Sequence, residues 1–334
     1  MINVGSQPGP KAGLVEVELS NEFLFARLVN VGATLRELSQ VGESGSSLCL
    51  GLADPVDYLS GSSYIGVTAG PVANRIGGAA FKIGEQRFQL ESNEGVNQLH
   101  GGPTGFSHKL WDVDVDRDRN RVRFTLHRPD GEGGYPGNLD VEVRYELQGN
   151  RLRYQWTAAT DLTTPVSLAN HAYWNLGLTG TVADHTLQVR ARKLVAVDDA
   201  AIPSGELPAV TGTAFDLRQP RRLGSVIEEL GEGIDHCFVL EPADDGDEQP
   251  VPQIVLGHPR SGRRMAVTTT LPGVQVYTGQ FLDGSAAAGG FAKYGGVCLE
   301  TQQLPDAVNQ PSFPSCLVEP GLPVSHTTDY VFHL

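Results

Sequence analysis

The feature that most constrains this chain is a side-chain period of two that recurs through its middle third. In WDVDVD the residues Trp111, Val113 and Val115 share a face; in RVRFTLH, Val122, Phe124 and Leu126. DVEVRYEL repeats the pattern with Val141, Val143, Tyr145 and Leu147, and RLRYQW with Leu152, Tyr154 and Trp156. Alternation places successive side chains on opposite faces of a strand, so these runs predict half-buried antiparallel strands. The pieces between them carry turn chemistry: Asp118-Arg119-Asn120, DGEGGYPGN at 130–138 and Gln148-Gly149-Asn150. Forty glycines and 21 prolines suit many tight turns and few helices. The best helical segment is RRLGSVIEELG at 221–231, where Leu223, Val226, Ile227 and Leu230 fall at helical spacing and Gly231 ends the run. No repeat of 20 to 50 residues occurs, and the acidic run at 241–253 reads as a solvated loop between two strands. The expectation is an all-β chain, one large antiparallel β-sandwich domain over residues 1–334 with few short helices.

Charge excludes several partners. The formal net charge is −14, from 39 acidic residues against 25 Lys and Arg, and the basic residues never cluster beyond an Arg-Arg pair. Such a chain repels nucleic acid and anionic membrane surfaces. Cys49, Cys237, Cys298 and Cys316 are far apart and stand beside apolar neighbours, which predicts small core residues rather than disulfides or a zinc cage. No basic segment followed by an apolar stretch opens the chain, and no run approaches the ~18 apolar residues of a spanning helix, so a cytoplasmic location is expected. GxxxxGK[ST], HExxH, GxSxG and CxxC are all missing, so neither a nucleotide nor a metal mechanism has visible equipment.

What remains is a set of polar residues, each in an otherwise apolar or glycine-bounded strand end. Asn74-Arg75 lies in GPVANRIGG, His100 in NQLHGG, Asn170-His171 in SLANHAYWNL, Asp235-His236 in GIDHCFVL, Gln275 in LPGVQVYTG and Glu300 in VCLETQ. A lone His among apolar neighbours is more often a satisfied core residue. Six such placements, with Tyr173, Trp174, Tyr277 and Phe281 nearby, supply planar donors and acceptors for hydroxyls and aromatic faces for C–H surfaces. That is a palette for neutral polyhydroxy compounds.

Taken in order, GPVANRIGGAAF, NQLHGGPTGFSHKLW, NHAYWNLG, GIDHCFVL, PGVQVYTGQFLDG and GVCLETQQLPDAVNQPSFPS resemble the motif series of the aldose 1-epimerases, or galactose mutarotases. The resemblance runs from about residue 60 to the C-terminus, and VELSNEFLFARLVNVGATLREL is similar to the family's opening strands. It implies a galactose mutarotase-like supersandwich with an open sugar-binding cleft, no cofactor and no metal. The implied activity interconverts the α and β anomers of free aldoses of the glucose and galactose type. Glu300 would be the general base and His171 the general acid, its ring favoured in the protonated form by the nearby carboxylate. Asn74, Arg75, His100, Asp235 and Gln275 would bind the substrate, Arg75 also positioning the catalytic carboxylate. Tyr173, Trp174 and Tyr277 would stack on the sugar. Where the family commonly reads Gly-Arg this chain has Gly70-Pro71, which removes a positive charge from near the cleft. An epimerase for phosphorylated hexoses and a non-catalytic carbohydrate-binding module stay open as alternatives, and a monomer or a homodimer suits an edge-rich sandwich.

Overall fold

The computed structural model describes residues 1–6, 13–43, 46–60, 63–243 and 251–334. Strands dominate it, and every ladder between named strands is antiparallel. The four alternating runs become the strands Asp112–Asp116, Arg121–Arg128, Leu139–Gln148 and Arg151–Thr160, hydrogen-bonded in that order. They form one half of a nine-stranded sheet, continued by Val324–His333, Arg263–Thr269, Ile254–His258, Thr186–Val189 and Arg221–Arg222. In Leu139–Gln148 every second residue is buried while its neighbours face outward, as the period of two requires. Asn120 and Gly149 take positive φ at the two hairpin turns, 49° and 56°.

A five-stranded sheet packs against this wall. Its order is Tyr173–Trp174, Val297–Gln302, Gly273–Tyr277, Asp235–Leu240, Ala191–Leu194. A four-stranded sheet of Ile2–Ser6, Val15–Ser20, Leu24–Val29 and Thr34–Gln40 closes one end. One hydrophobic cluster joins all three, running from Ile2 to Phe332 and including Leu28, Phe124, Trp156, Val276, Leu299 and Tyr330. Each fully buried Val, Leu or Phe side chain contributes ~1.5–3 kcal/mol from apolar burial, which sets the mutual position of the sheets.

The single α-helix among the described residues is Leu223–Leu230, with Leu223 and Val226 buried and Gly231 closing it at φ 83°. No helix among the described residues is long and apolar enough to cross a membrane. All four cysteines are free and buried. The run at 241–253 joins Asp235–Leu240 to Ile254–His258, strands of two different sheets; its residues 244–250 lie outside the described residues.

Candidate active site

Register in the five-stranded sheet decides which side chains meet. Residues directly opposite each other in an antiparallel pair share a face. Glu300 stands opposite Gln275, Cys298 opposite both Tyr173 and Tyr277, Asp235 opposite Tyr277, and Cys237 opposite Gln275. These side chains therefore point to one side. The alternate positions, Val297, Leu299, Val274, Val276, Phe238 and Trp174, point to the other and belong to the main hydrophobic cluster. All six residues of Val297–Gln302 are buried because one face meets that core and the other forms the floor of a cleft. Glu300 ends an apolar run because its strand is covered on both sides.

The cleft has a volume of about 320 Å³, the scale of a small-molecule site. Glu300, Asp235, Gln275, Tyr173 and Tyr277 line its floor, and Asn74, Arg75, His100 and His171 its walls. Two short paired strands, Arg75–Ile76 and Gln98–Leu99, bring Asn74 and His100 together. The backbone N–H of His100 donates to Asn74 O at 3.0 Å, and that of Asn74 donates to His100 Nδ1 at 3.2 Å. His171 is held by its own backbone, whose N–H donates to Val67 O at 2.8 Å and whose carbonyl accepts from Gly66 N at 3.0 Å. This places His171 Nε2 3.6 Å from Glu300 Oε1. Gln275 Nε2 donates to Asp235 Oδ1 at 2.7 Å.

Burial governs the charges. It pushes Glu300 well above the usual carboxylate range, with the Asp235 charge adding to the effect and Arg75 opposing it. Burial lowers His171 to about 4. Against the expectation that the carboxylate neighbour favours a protonated His171, removal from water pushes the imidazole toward its neutral form and Glu300 toward its acid form. Asp235 is also raised by burial, against the hydrogen bond from Gln275.

His100, His171 and Glu300 carry three metal-ligating atoms within 4.8 Å of one another. The trio does not fit a metal ion. Because His100 Nδ1 accepts a backbone N–H, the ring proton sits on Nε2, which leaves no ring lone pair for a cation and makes Nε2 a hydrogen-bond donor.

The comparisons with known proteins agree with this architecture. The aldose 1-epimerase family model matches residues 16–331. Galactose mutarotase of Bos taurus is 41% identical over 330 residues, covering 96% of this chain and 95% of the relative. The chain belongs to the aldose 1-epimerase family. Another relative, aldose 1-epimerase of Escherichia coli K12, is 35% identical over 94% of this chain and 93% of its own length. Among solved structures, galactose 1-epimerase of Lactobacillus acidophilus superposes with a TM-score of 0.87 at 30% identity, covering 100% of this chain and 98% of that one.

Two site expectations need correction in this aldose 1-epimerase chain. Trp174 is absent from the cleft: it follows Tyr173 directly, so the pleat turns it to the core, fully buried at 5.1 Å from the Tyr330 ring. Arg75 does not clamp Glu300. Its fork pairs with Glu94, Nε to Oε2 at 2.7 Å and Nη2 to Oε1 at 2.8 Å. Pro71 is buried and does not itself line the cleft, where Arg75 is the one arginine among the described residues.

Sequence reasoning did not single out Ser63, Tyr64, Glu94, Leu99 and Leu282, which also line the cleft, and it undervalued Phe281. Glu94 lies in a polar loop with no local signal for its partner. Tyr64 lines the cleft with its ring 4.6 Å from His100 and 5.8 Å from His171. Its φ of 53° costs roughly 1–2 kcal/mol for so bulky a residue, and a lone aromatic in GSSYIG was the available clue. Phe281, 74% exposed, stands at the rim on Tyr277, ring centroids 5.9 Å apart.

Proposed function

We propose that this enzyme interconverts the α and β anomers of free aldoses, with Glu300 and His171 exchanging protons at the anomeric centre. The observation that carries the reading is the 3.6 Å separation of His171 Nε2 and Glu300 Oε1 on one cleft surface. Ring oxygen and anomeric hydroxyl are bonded to the same carbon, so an acid and a base this close reach both at once. In the cyclic sugar Glu300 takes the C1 hydroxyl proton while His171 protonates the ring oxygen. The ring opens to the aldehyde, the C1–C2 bond turns, and reclosure returns both protons by the reverse steps.

The pair holds one proton throughout. Ionised Glu300 with protonated His171 serves the cyclic sugar, and protonated Glu300 with neutral His171 serves the open aldehyde. Burial favours the second arrangement, since it lowers His171 and raises Glu300. A bound sugar whose oxygens accept from His171 and donate to Glu300 makes the first accessible at no change in net charge. His100 Nε2–H supplies a fixed donor, and Asp235 with Gln275 offers acceptors, to ring hydroxyls. Asn74 and Arg75 complete the wall, while Tyr173 and Tyr277 present aromatic surface to the sugar's C–H face.

A phosphorylated hexose is disfavoured because the cleft holds the carboxylates Glu94, Asp235 and Glu300 against one arginine already engaged by Glu94. We place the reaction in the cytoplasm, in keeping with four unpaired thiols.

Polarimetry on freshly dissolved α-D-glucose and α-D-galactose tests the proposal. The wild type should accelerate relaxation to the anomeric equilibrium, and Glu300→Gln and His171→Asn should each lower turnover by at least ~10²-fold with the fold intact. Sugar binding without acceleration would turn the reading to a carbohydrate-binding module, and selective turnover of hexose phosphates to the phosphorylated substrate.

A further inference from the structure

Two residues beyond Glu300, on the same strand face, lies a side chain that the mechanism leaves unused. Gln302 is fully buried, and neither its Oε1 nor its Nε2 meets a nitrogen or oxygen partner among the described residues, the Cys237 thiol alone standing within reach of the carboxamide. Buried carboxamides without partners are rare, and each uncompensated polar atom carries a desolvation cost. The surroundings offer little relief. The position opposite Gln302 is Gly273, which has no side chain, and Leu304 and the Cys237 thiol crowd the site where a Cβ would stand. The thiol is a weak partner. Diagonally placed Gln275 already commits its amide nitrogen to Asp235. Two positions back on the same face stands Glu300, whose Oε2 is likewise buried and has no hydrogen-bond partner among the described residues.

We propose that Gln302 is a positioning residue for Glu300, its carboxamide and the free Glu300 Oε2 being joined by one buried water. The Cα atoms of same-face residues two apart on a strand are about 7 Å apart, and side chains that lean together over that spacing come within the span of about 5.5 Å that one bridging water covers with two hydrogen bonds. Gln302 Nε2–H donates to the water and the water donates to Oε2. The bridge fixes the carboxylate from below while Oε1 faces His171, and it favours the ionised form of a group that burial would otherwise keep protonated.

The inference rests on the reading of Glu300 as the base, and its test separates the two. The other titratable groups around Glu300 are His100, His171, Asp235, Arg75, the thiols Cys237 and Cys298, and the phenols Tyr173, Tyr277 and Tyr330. All of them stay in place when Gln302 alone is changed. The experiment is the pH dependence of kcat/KM for mutarotation in wild type, Gln302→Leu and the near-isosteric Gln302→Met, with Glu300→Gln beside them. Losing one hydrogen bond to a carboxylate should lower the plateau about ten-fold or more. Since the productive ionised fraction falls by the factor that raises the Glu300 pKa, the alkaline limb should move up by about one pH unit for each ten-fold loss. A plateau that falls without movement of the limb, or a wild-type profile in both variants, overturns the proposal. In the latter case Gln302→Leu should also resist urea better than wild type, because it removes unpartnered amide atoms. Near-normal turnover in Glu300→Gln would overturn the base assignment itself, whereas an inactive Glu300→Gln with an unshifted Gln302→Leu would remove only Gln302. If Leu disturbs folding, Met carries the comparison.

Discussion

Replacing Asp306 with alanine should uncouple substrate affinity from turnover. Asp306 is 3% exposed and lies in the loop that follows the catalytic strand. Its Oδ1 accepts from Gly77 N at 3.2 Å and Asn309 Nδ2 at 2.7 Å, its Oδ2 accepts from Gln310 Nε2 at 3.3 Å, and its backbone N–H donates to Arg75 O at 3.1 Å. The residue thus pins the Asn74-to-Gly77 wall to the Glu300 loop. Asn309 is exposed and Gln310 only half-buried, so both amides can turn to water in the variant. The Gly77 N–H cannot follow them, and leaving it unpaired costs ~1–3 kcal/mol. Asp306 also sits at φ 54°, where alanine costs a further ~1–2 kcal/mol but asparagine is better tolerated. The sum is a destabilisation of about 3 kcal/mol for Asp306→Ala and less for Asp306→Asn. In the same variant, loss of one wall hydrogen bond of about 1 kcal/mol should raise KM about five-fold while kcat stays near wild type, because Glu300 and His171 hang on other elements. Urea denaturation and polarimetric kinetics on both variants provide the check. An Asp306→Ala protein as stable as Asp306→Asn, or one that loses kcat at unchanged KM, would refute the reasoning.

Two further results are expected. The pH profile of kcat/KM should rise through the first ionisation of the pair, near the His171 value of about 4, and fall only as pH climbs through the raised Glu300 value. Below the first the base is missing and above the second the acid is, so a rise centred near pH 6.5, the ordinary imidazole value, instead of near 4 in stopped-flow polarimetry would contradict the lowered His171 value. Among the aromatics, Phe281→Ala should raise KM several-fold at constant stability, since it removes an exposed rim face. Trp174→Ala should instead lose ~3–5 kcal/mol on denaturation, as a large core truncation does, and equal stability in the two variants would reverse their placement.

The strand runs from Asp112 to Thr160 and the helix at 223–230 were legible because local periodicity carries them. Asn74, Arg75, His100, His171, Asp235, Gln275 and Glu300 were legible as a set through an ordered series of motifs, and they line one cleft. Long-range facts were not legible. Whether Tyr173 or Trp174 faces Glu300 depends on the pairing Tyr173 opposite Cys298, a register set between strands more than a hundred residues apart. The partner of Arg75 is 19 residues away across a turn, and its choice of Glu94 over Glu300 follows from backbone path rather than charge count. The protonation of His171 was misjudged because proximity to a carboxylate is visible in a motif series, whereas the dry surroundings of both groups arise only once three sheets close.

The two-faced floor sheet divides labour within the molecule. The groups proposed to exchange protons with the sugar are Glu300, on a strand whose reverse side is the main core, and His171, two residues before the strand Tyr173–Trp174 that pairs with it, so substitution of their supports costs folding stability. The other sugar-facing groups are split between that floor, which holds Asp235 and Gln275, and the turns and short ladders of the walls and rim, where Asn74, His100 and Phe281 sit. A lineage built on this plan can retune which sugars it accepts while inheriting one reaction unchanged.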